Sequence, residues 1–385
     1  MSTTFPVLAE GPKVSAWVLS GERYADRGLD LGVANGTGDY LTSLEGEVGL
    51  SGTGEKGGVW RFRYNPVLAA YTRDSDQRRF SHLLSGRGTW IISPRVTLTA
   101  GERYYRIRQQ IGLVNPDAPD DPGFLLRTSE RISNDLSLNA EFKTTERNQL
   151  RVGSRYFVGR LSDEAFTDVD TYVASLDWDF RASSRSTLWT GYEYSRFDFS
   201  TTTSSQTQQL EVGGSWMMTS SFRWRLSGGA SQVQHEGTST TEPVAEWALD
   251  HSSASSRARW AVNLSRDLRG VVGLEGPVIN RRASTTLLLR GSDRLRYGAS
   301  LSYGRKRSLF DPSFSVIHHR RAGLHLDYQW TSRFFSRMVV SRHDQRVPSS
   351  LFSDRRVNYY YVGVGYQIWP SAGSPGLVPE GDTVQ

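Results

Sequence analysis

The stretch YLTSLEGEVGLS, residues 40–51, decides the fold of this chain. Successive side chains of a β-strand point to opposite faces, so this stretch forms a strand with one apolar face and one polar face. The first face carries Tyr40, Thr42, Leu44, Gly46, Val48 and Leu50, and the second carries Ser43, Glu45, Glu47, Gly49 and Ser51. A pattern of this kind that recurs about eighteen times predicts a transmembrane β-barrel with lipid outside and water inside.

Short polar turns and longer polar loops alternate between these segments. We place the turns at residues 51–55, 92–95, 144–148, 181–185, 219–221, 252–256, 291–293 and 331–332. We place the loops at residues 24–38, 73–78, 108–123, 160–168, 197–206, 233–242, 267–275, 305–315 and 343–355. These connections predict an antiparallel barrel of about 18 strands with both termini on the turn side, which is periplasmic in the usual orientation. Alternation is weakest near 244–249 and 278–289, so 16 strands is the alternative.

Composition agrees with one large barrel. The 385 residues show no change of periodicity that would divide them, so we expect a barrel over residues 12–369. A periplasmic N-terminal segment, residues 1–11, and a disordered periplasmic tail, residues 370–385, would flank it. Mean hydropathy is −0.48, and no apolar run approaches the ~18 residues of a spanning helix. The 11 Trp and 17 Tyr suit interfacial girdles, and the absence of Cys excludes disulfides and thiolate metal sites.

Placement in the bacterial outer membrane depends on one assumption. The first residues, MSTTFP, lack the basic and apolar regions of a secretory signal. We therefore expect that a signal peptide was removed and an initiator Met added. The last apolar face resembles the C-terminal insertion signal of outer-membrane barrels, although Ile368 stands where Phe is usual. That face carries Tyr360, Val362, Val364, Tyr366 and Ile368.

Motifs that could carry catalysis or bind a metal have simpler interpretations here. Residues 52–57 match G-x-G-x-x-G, but a strand follows them instead of the helix that a nucleotide site needs, so we predict a hairpin turn.

His318 and His319 are adjacent and face opposite ways in a strand, so they cannot bind one metal together. Residues 318–321, HHRR, therefore predict a basic rim facing lipopolysaccharide phosphates or polymer. The acidic residues of loop 115–123 predict a solvated loop more than a Ca²⁺ site. We therefore expect no enzyme, no cofactor and no metal.

Arginine dominates the predicted lumen. Charged groups in hydrocarbon cost a few kcal/mol each, so the charged faces of the strands must line the interior. The predicted substrate path comprises Arg61, Arg63, Arg87, Arg103, Arg151, Arg155, Arg257, Arg259, Arg294 and Arg296, with Tyr71, Tyr105 and Trp189 as stacking faces for sugar rings. Guanidinium groups hold carboxylates and phosphates, and rings of them select anions. The alternative is that some of them pair with lumenal acids; the candidates are Glu45, Glu47, Glu141, Asp177, Asp179 and Glu193.

Residues 60–98 resemble a family. Tyr64 to Tyr71 match Y-x-P-x-x-x-x-Y, Phe80 to Leu84 match Phe-x-His-x-Leu, and Ser93-Pro94-Arg95 is similar to an S-P-R-T turn. These patterns recur in the outer-membrane β-barrel proteins of Gram-negative exopolysaccharide and exosortase gene clusters. The resemblance implies a pore for polysaccharide export of the myxobacterial type, beneath which a short periplasmic polysaccharide export protein docks. It supplies no catalytic or binding residues.

Several functions remain open at this point. The leading hypothesis is an outer-membrane channel that exports an exopolysaccharide, which we expect to be acidic, and a net charge of +6 favours an electropositive lumen. The alternative is an anion-selective or general diffusion porin for small solutes. A lipid A acyl hydrolase acting at the rim and an adhesive barrel are further readings. Expected partners are the polysaccharide, lipopolysaccharide, phospholipid and the periplasmic protein. We do not expect nucleic acid as a partner, because the sequence shows no recognition module with stacking side chains.

Overall fold

A computed structural model describes ten stretches of the chain: residues 12–25, 39–54, 57–71, 79–108, 130–162, 167–252, 257–270, 276–310, 316–346 and 355–369. They form eighteen β-strands. The strands are β1 (Lys13–Ala25), β2 (Asp39–Thr53), β3 (Val59–Tyr71), β4 (Arg79–Ser93), β5 (Val96–Arg108), β6 (Glu130–Lys143), β7 (Asn148–Leu161), β8 (Val169–Arg181), β9 (Ser186–Phe199), β10 (Ser205–Met217), β11 (Phe222–His235), β12 (Thr238–His251), β13 (Ala258–Gly270), β14 (Pro277–Arg290), β15 (Leu295–Ser308), β16 (Ile317–Gln329), β17 (Phe334–Arg346) and β18 (Arg355–Trp369). Within these stretches, no helix is long and apolar enough to cross a membrane.

The sheet closes on itself. Each strand pairs antiparallel with its neighbours in sequence, and β1 pairs with both β2 and β18. Closure satisfies the backbone hydrogen bonds that an open edge would leave unpaired. The predicted fold class and the count of 18 are confirmed, and β12 and β14 are full strands of 14 residues each. The flanking segments 1–11 and 370–385 lie outside the described residues.

One predicted loop is a tight turn. The sequence pattern predicts a long connection at 233–242, but β11 and β12 continue to residues 235 and 238 and leave only Glu236 and Gly237 between them. Both residues have positive φ, 49° and 77°. A two-residue hairpin with two positive φ angles matches the twist of the flanking strands. The prediction was wrong because Glu at a positive φ is uncommon and gave no turn signal.

The two faces of the wall differ as the alternation predicts. Large apolar side chains are exposed on the outside, among them Leu210, Val212 and Leu324 at 59%, 59% and 61%. Trp side chains concentrate on this face near the turns, and Tyr side chains near the loops. The first group comprises Trp60, Trp90, Trp178, Trp216, Trp224 and Trp260, and the second comprises Tyr24, Tyr40, Tyr156, Tyr172, Tyr303 and Tyr360. Two aromatic girdles around an apolar band are the arrangement that a barrel needs to cross a bilayer.

Candidate functional site

The strand register places the predicted lumen residues on the inward face. Arg61, Arg63, Arg87, Arg103, Tyr105, Arg151, Arg155, Trp189, Arg259 and Arg296 lie on β3, β4, β5, β7, β9, β13 and β15. Arg257 and Arg294 lie in the turn segments just before β13 and β15, at the barrel rim. Tyr71 ends β3, and its side chain lies outside the described part of the structure. Whether these residues contact a substrate stays a prediction.

Four of the arginines form one patch on neighbouring strands. Arg61 on β3 lies directly opposite Arg87 on β4, and Ser85 lies between Arg63 on β3 and Arg103 on β5. We call Arg61, Arg63, Arg87 and Arg103 the arginine patch. Among the described residues, no carboxylate lies within ion-pair distance of Arg61, Arg63 or Arg103. Like charges directly opposite each other destabilise a sheet, so the pairing of Arg61 with Arg87 disfavours the fold locally, whereas Arg103 lies opposite Asp135 on β6.

Two other predicted arginines pair with acids. Arg155 donates from Nε and Nη2 to the two carboxylate oxygens of Asp135, at 2.6 and 2.7 Å. Arg151 donates from Nη2 to Oδ1 of Asp179 at 3.0 Å. These ion pairs join β7 to its neighbours β6 and β8; Asp179 is one of the acids that the alternative interpretation names, whereas Asp135 is not. Arg151 and Arg155 are therefore less available to a passing anion than the arginine patch.

The lumen also carries an acidic sector that the sequence analysis only partly predicted. Asp177, Glu193, Glu211 and Glu246 lie on the inward faces of β8, β9, β10 and β12, and we call them the acidic sector. Glu193 interacts electrostatically with Asp177, and Glu211 with Glu193 and Glu246. Glu211 and Glu246 could have been assigned by extending the alternation to the weaker strands. Acidic side chains thus concentrate on β8 to β12, where Arg225 lies 3.9 Å from Glu246, and the lumen is not uniformly electropositive.

The wall from β16 to β2 is packed on its inner side. Nε of Arg337 donates to Oδ1 of Asp327 at 2.8 Å, and Asp327 is 1% exposed. Arg23 lies 3.7 Å from the carboxylate of Glu45, and both side chains are less than a tenth exposed. Leu19, Phe335 and Tyr361 pack together beside these ion pairs, with Trp17 and Val339 against them. This sector forms a fixed side of the lumen.

A separate apolar cluster narrows the lumen near the loops. Val169, Phe197 and Phe199 on β8 and β9 are 0%, 4% and 7% exposed, and partly buried Phe157 and Leu161 pack against them. Phe197 also reaches Gly270 at the end of β13: a Cβ atom at position 270 would lie 2.5 Å from the Cδ1 atom of Phe197. Three strands separate β9 from β13 along the wall. The Phe197 ring therefore extends from β9 across part of the interior to β13, an arrangement that the sequence alone does not indicate.

Three residues that carry the family resemblance, Tyr64, Phe80 and His82, face outward together with Tyr104. Tyr64, Phe80 and Tyr104 surround His82, with ring centroids 6.4, 5.3 and 5.9 Å from its imidazole. All four lie on the same face of the wall as the exposed apolar residues. They stabilise the membrane-facing surface of β3, β4 and β5 and do not line the lumen.

The HHRR segment alternates as predicted. His318 and Arg320 lie on the outer face of β16, whereas His319 and Arg321 lie on the inner face. No cluster of metal-ligating side chains occurs in the stretches that the structure describes. Residues 115–123 lie outside them, so the prediction for that loop stays a prediction.

The closed wall, the apolar outer band and the charged interior define the class of this protein as a transmembrane β-barrel of outer-membrane type. The chain is similar in fold to OccK2 (OpdF) of Pseudomonas aeruginosa, with 10% identity, a TM-score of 0.50, and coverage of 93% of this chain and 98% of that one. OccAB3 of Acinetobacter baumannii is 9% identical, with a TM-score of 0.48 and coverage of 92% of this chain and 98% of that one. The ferric enterobactin receptor PfeA is 8% identical, with a TM-score of 0.49 and coverage of 93% of this chain and 82% of that one. No protein family and no curated protein matches the chain. The likeness concerns architecture alone.

Proposed function

We propose that this protein is a channel in the bacterial outer membrane that exports an acidic exopolysaccharide. The observation that carries the proposal is the arginine patch. Its exposed guanidinium groups face the lumen, and Arg61, Arg63 and Arg103 have no carboxylate partner in the described part of the chain. Arginine binds carboxylates and phosphates through paired hydrogen bonds and keeps its charge at all physiological pH values. Guanidinium groups without a carboxylate partner, as at Arg61, Arg63 and Arg103, lower the electrostatic barrier for a polyanion.

The turn end of the barrel would serve as the entrance. Basic residues outnumber acids among the inward and turn residues at this end. They include Arg95, Lys143, Arg147, Arg181, Arg185, Arg223, Arg257, Arg259, Arg290, Arg294, Arg296 and Arg333, whereas the acids in the described ranges are Glu141, Glu146, Asp179, Asp250, Asp293 and Asp327. A positive rim raises the local concentration of an anionic chain at the entrance. This is the end where the family resemblance implies that a periplasmic export protein docks.

The apolar cluster around Phe197 would lie at the exit. A polymer chain that leaves through the loop end must pass the bridge between Phe197 and Gly270, so movement of this ring is part of the proposed export step. Many weak arginine contacts followed by an apolar constriction allow a chain to slide, because no single site holds it deeply.

In-frame deletion of the gene tests this function directly. Polysaccharide should disappear from the cell surface and accumulate in the periplasm while its synthesis continues. Complementation with the wild-type chain should restore export, whereas the Arg61→Gln, Arg63→Gln, Arg103→Gln variant should restore it only in part. Surface polysaccharide that stays unchanged in a strain without a paralogue would refute the exporter.

The charge separation in the lumen favours a second candidate, a diffusion porin for small anions. Opposite charges on different parts of the lumen wall create a transverse electric field that orients small dipolar solutes. Such a field is useful to a channel for small solutes and does not require a polymer substrate. Liposome swelling would separate the two. A porin should admit small monosaccharide acids rapidly, whereas an exporter closed at Phe197 should admit them slowly and still be required for surface polysaccharide.

A further inference from the structure

A row of basic side chains crosses the outer wall near the loops. The register pairs Arg266 with Arg281, Arg281 with Arg305, Arg305 with His318, and His318 with Arg346. We call these five residues the outer basic row. Strands in a sheet lie about 4.8 Å apart, so the row extends over roughly 19 Å of the circumference. By strand register it belongs to the face that carries the exposed apolar residues, although Arg266 at its β13 end also contacts Glu242, whose register position on β12 is lumenal.

The row rises from Arg266 and Arg281, four residues inside the loop end of their strands, to Arg346 at the loop end of β17, because the strand tilt inclines a line of paired residues to the membrane plane. The next outward residues toward the turns include Leu264 and Tyr303, which are 46% and 37% exposed, and they mark the upper edge of the apolar band. The Tyr303 hydroxyl is within hydrogen-bond distance, 3.0 Å, of Nδ1 of His318. A Tyr at this height is typical of the membrane interface. Charges just above it meet the polar groups of the outer leaflet.

The row lacks enough acids to neutralise it. Glu242 contacts Arg266 and lies 3.4 Å from Nη2 of Arg307. In the ranges that the structure describes, Arg281, Arg305 and Arg346 have no carboxylate within ion-pair distance. Like charges directly opposite each other destabilise a sheet. The row is therefore suited to bind an anion from outside the protein.

Outward arginines on the other side of the barrel differ in this respect. Arg196 on β9 donates from Nε to Oδ1 of Asp198 at 2.9 Å. Arg160 on β7 contacts Asp170, and Arg106 on β5 contacts Glu130. Each of these arginines has its own carboxylate, so the uncompensated charge is a local property of β13 to β17.

An apolar groove lies directly below the row on the outer wall. Trp247, Leu264, Ala283 and Tyr303 line it, and Arg266 and Arg281 also border it. Cationic groups above an apolar groove match a molecule that has an anionic head and an acyl chain. The cationic row and the apolar groove therefore both favour an amphipathic ligand.

We propose that the outer basic row and this groove bind a phosphorylated glycolipid of the outer leaflet, with the phosphates on the row and one acyl chain in the groove. The site rests on the membrane placement that we propose above but not on what passes through the lumen. A phosphomonoester carries about −1.5 to −2 charges near pH 7, more than the single charge of a phospholipid phosphodiester. Arginine binds such groups through two parallel hydrogen bonds. The row therefore favours phosphomonoester glycolipids over ordinary phospholipids.

The test is native mass spectrometry of the full chain in detergent, titrated with diphosphoryl lipid A, with the same lipid after enzymatic removal of its phosphates, and with phosphatidylglycerol. The binding variant is Arg281→Gln, Arg305→Gln, Arg346→Gln. The matched control is Arg106→Gln, Arg160→Gln, Arg196→Gln, which removes three outward arginines that have partners. We expect the wild type to prefer diphosphoryl lipid A about tenfold or more over both other lipids, a difference of about 1.4 kcal/mol. The binding variant should lose this preference, and the control should keep it.

Equal retention of lipid A by the binding variant and the control would overturn the proposal, as would equal binding of phosphatidylglycerol by the wild type. Full competition by millimolar inorganic phosphate would assign the row to a free anion instead of a glycolipid. If the triple variant does not fold, the single Arg305→Gln variant should still weaken binding, because Arg305 lies at the centre of the row. These readouts use no polysaccharide, so their failure is distinct from failure of the export function.

Discussion

The ion pair between Asp327 and Arg337 gives the sharpest test of how the packed wall is stabilised. Asp327 is 1% exposed, and its Oδ1 accepts a hydrogen bond from Nε of Arg337 at 2.8 Å. Substitution Asp327→Asn removes the negative charge and leaves the guanidinium on the inner wall. Breaking a buried pair by removing one partner costs about 3–5 kcal/mol. Arg337 is 24% exposed and also interacts with Glu45, so we expect about 3 kcal/mol, the lower end of that range.

Urea-induced unfolding from phospholipid vesicles, followed by tryptophan fluorescence, measures this loss. The midpoint should fall while the dependence on urea concentration stays constant, since the surface exposed on unfolding does not change. Asp293→Asn is the matched control, because Asp293 pairs with Arg290 but is 93% exposed. Exposed pairs contribute about 0–1 kcal/mol, so the control should unfold near the wild-type midpoint.

A second variant separates the lost attraction from the buried charge. Asp327→Leu combined with Arg337→Met replaces both charges by apolar groups, a change that is often neutral for buried pairs. It should therefore be more stable than Asp327→Asn alone. If Asp327→Asn unfolds at the same urea concentration as Asp293→Asn, or if the double variant is no better than the single one, the reasoning about the buried pair is wrong.

Two further predictions concern the lumen. Phe197→Ala should raise single-channel conductance in planar bilayers, because the ring bridges toward Gly270. Gly270→Ala should change the conductance of the wild type more than that of the Phe197→Ala background, since the three heavy atoms nearest to its Cβ all belong to that ring. Neutralising the arginine patch with Arg61→Gln, Arg63→Gln, Arg103→Gln should shift the reversal potential in a salt gradient away from anion preference, because three positive charges leave the lumen while the acidic sector stays.

Outward substitutions serve as controls for these measurements. Leu210→Ala removes an apolar side chain that is 59% exposed on the outer face, so conductance should not change. Arg106→Gln removes a positive charge from the outer face of β5, so the reversal potential should stay at the wild-type value. Identical conductance of Phe197→Ala and the wild type would contradict a constriction at Phe197, and an unchanged reversal potential would contradict an accessible patch.

The sequence alone determined the architecture and the direction of most side chains. A strand has a side-chain period of two, so the alternation from Tyr40 to Ser51 sets the inner and outer faces without knowledge of the neighbouring strands. The same rule separated His318 from His319 and placed Arg61 and Arg63 inside. It failed at 233–242, where backbone conformation, and not polarity, decides the turn.

Only the tertiary structure decided which charges are neutralised and where the lumen narrows. Ion pairing depends on register: Arg155 meets Asp135, whereas Arg61 meets another arginine, and neither outcome follows from local pattern. The outer basic row likewise exists only because the register of five strands places their basic residues opposite one another. The contact between Phe197 and Gly270 joins strands that are not neighbours, and closure of the barrel brings them together. Local periodicity fixes the face of each residue, but register and closure fix its partners.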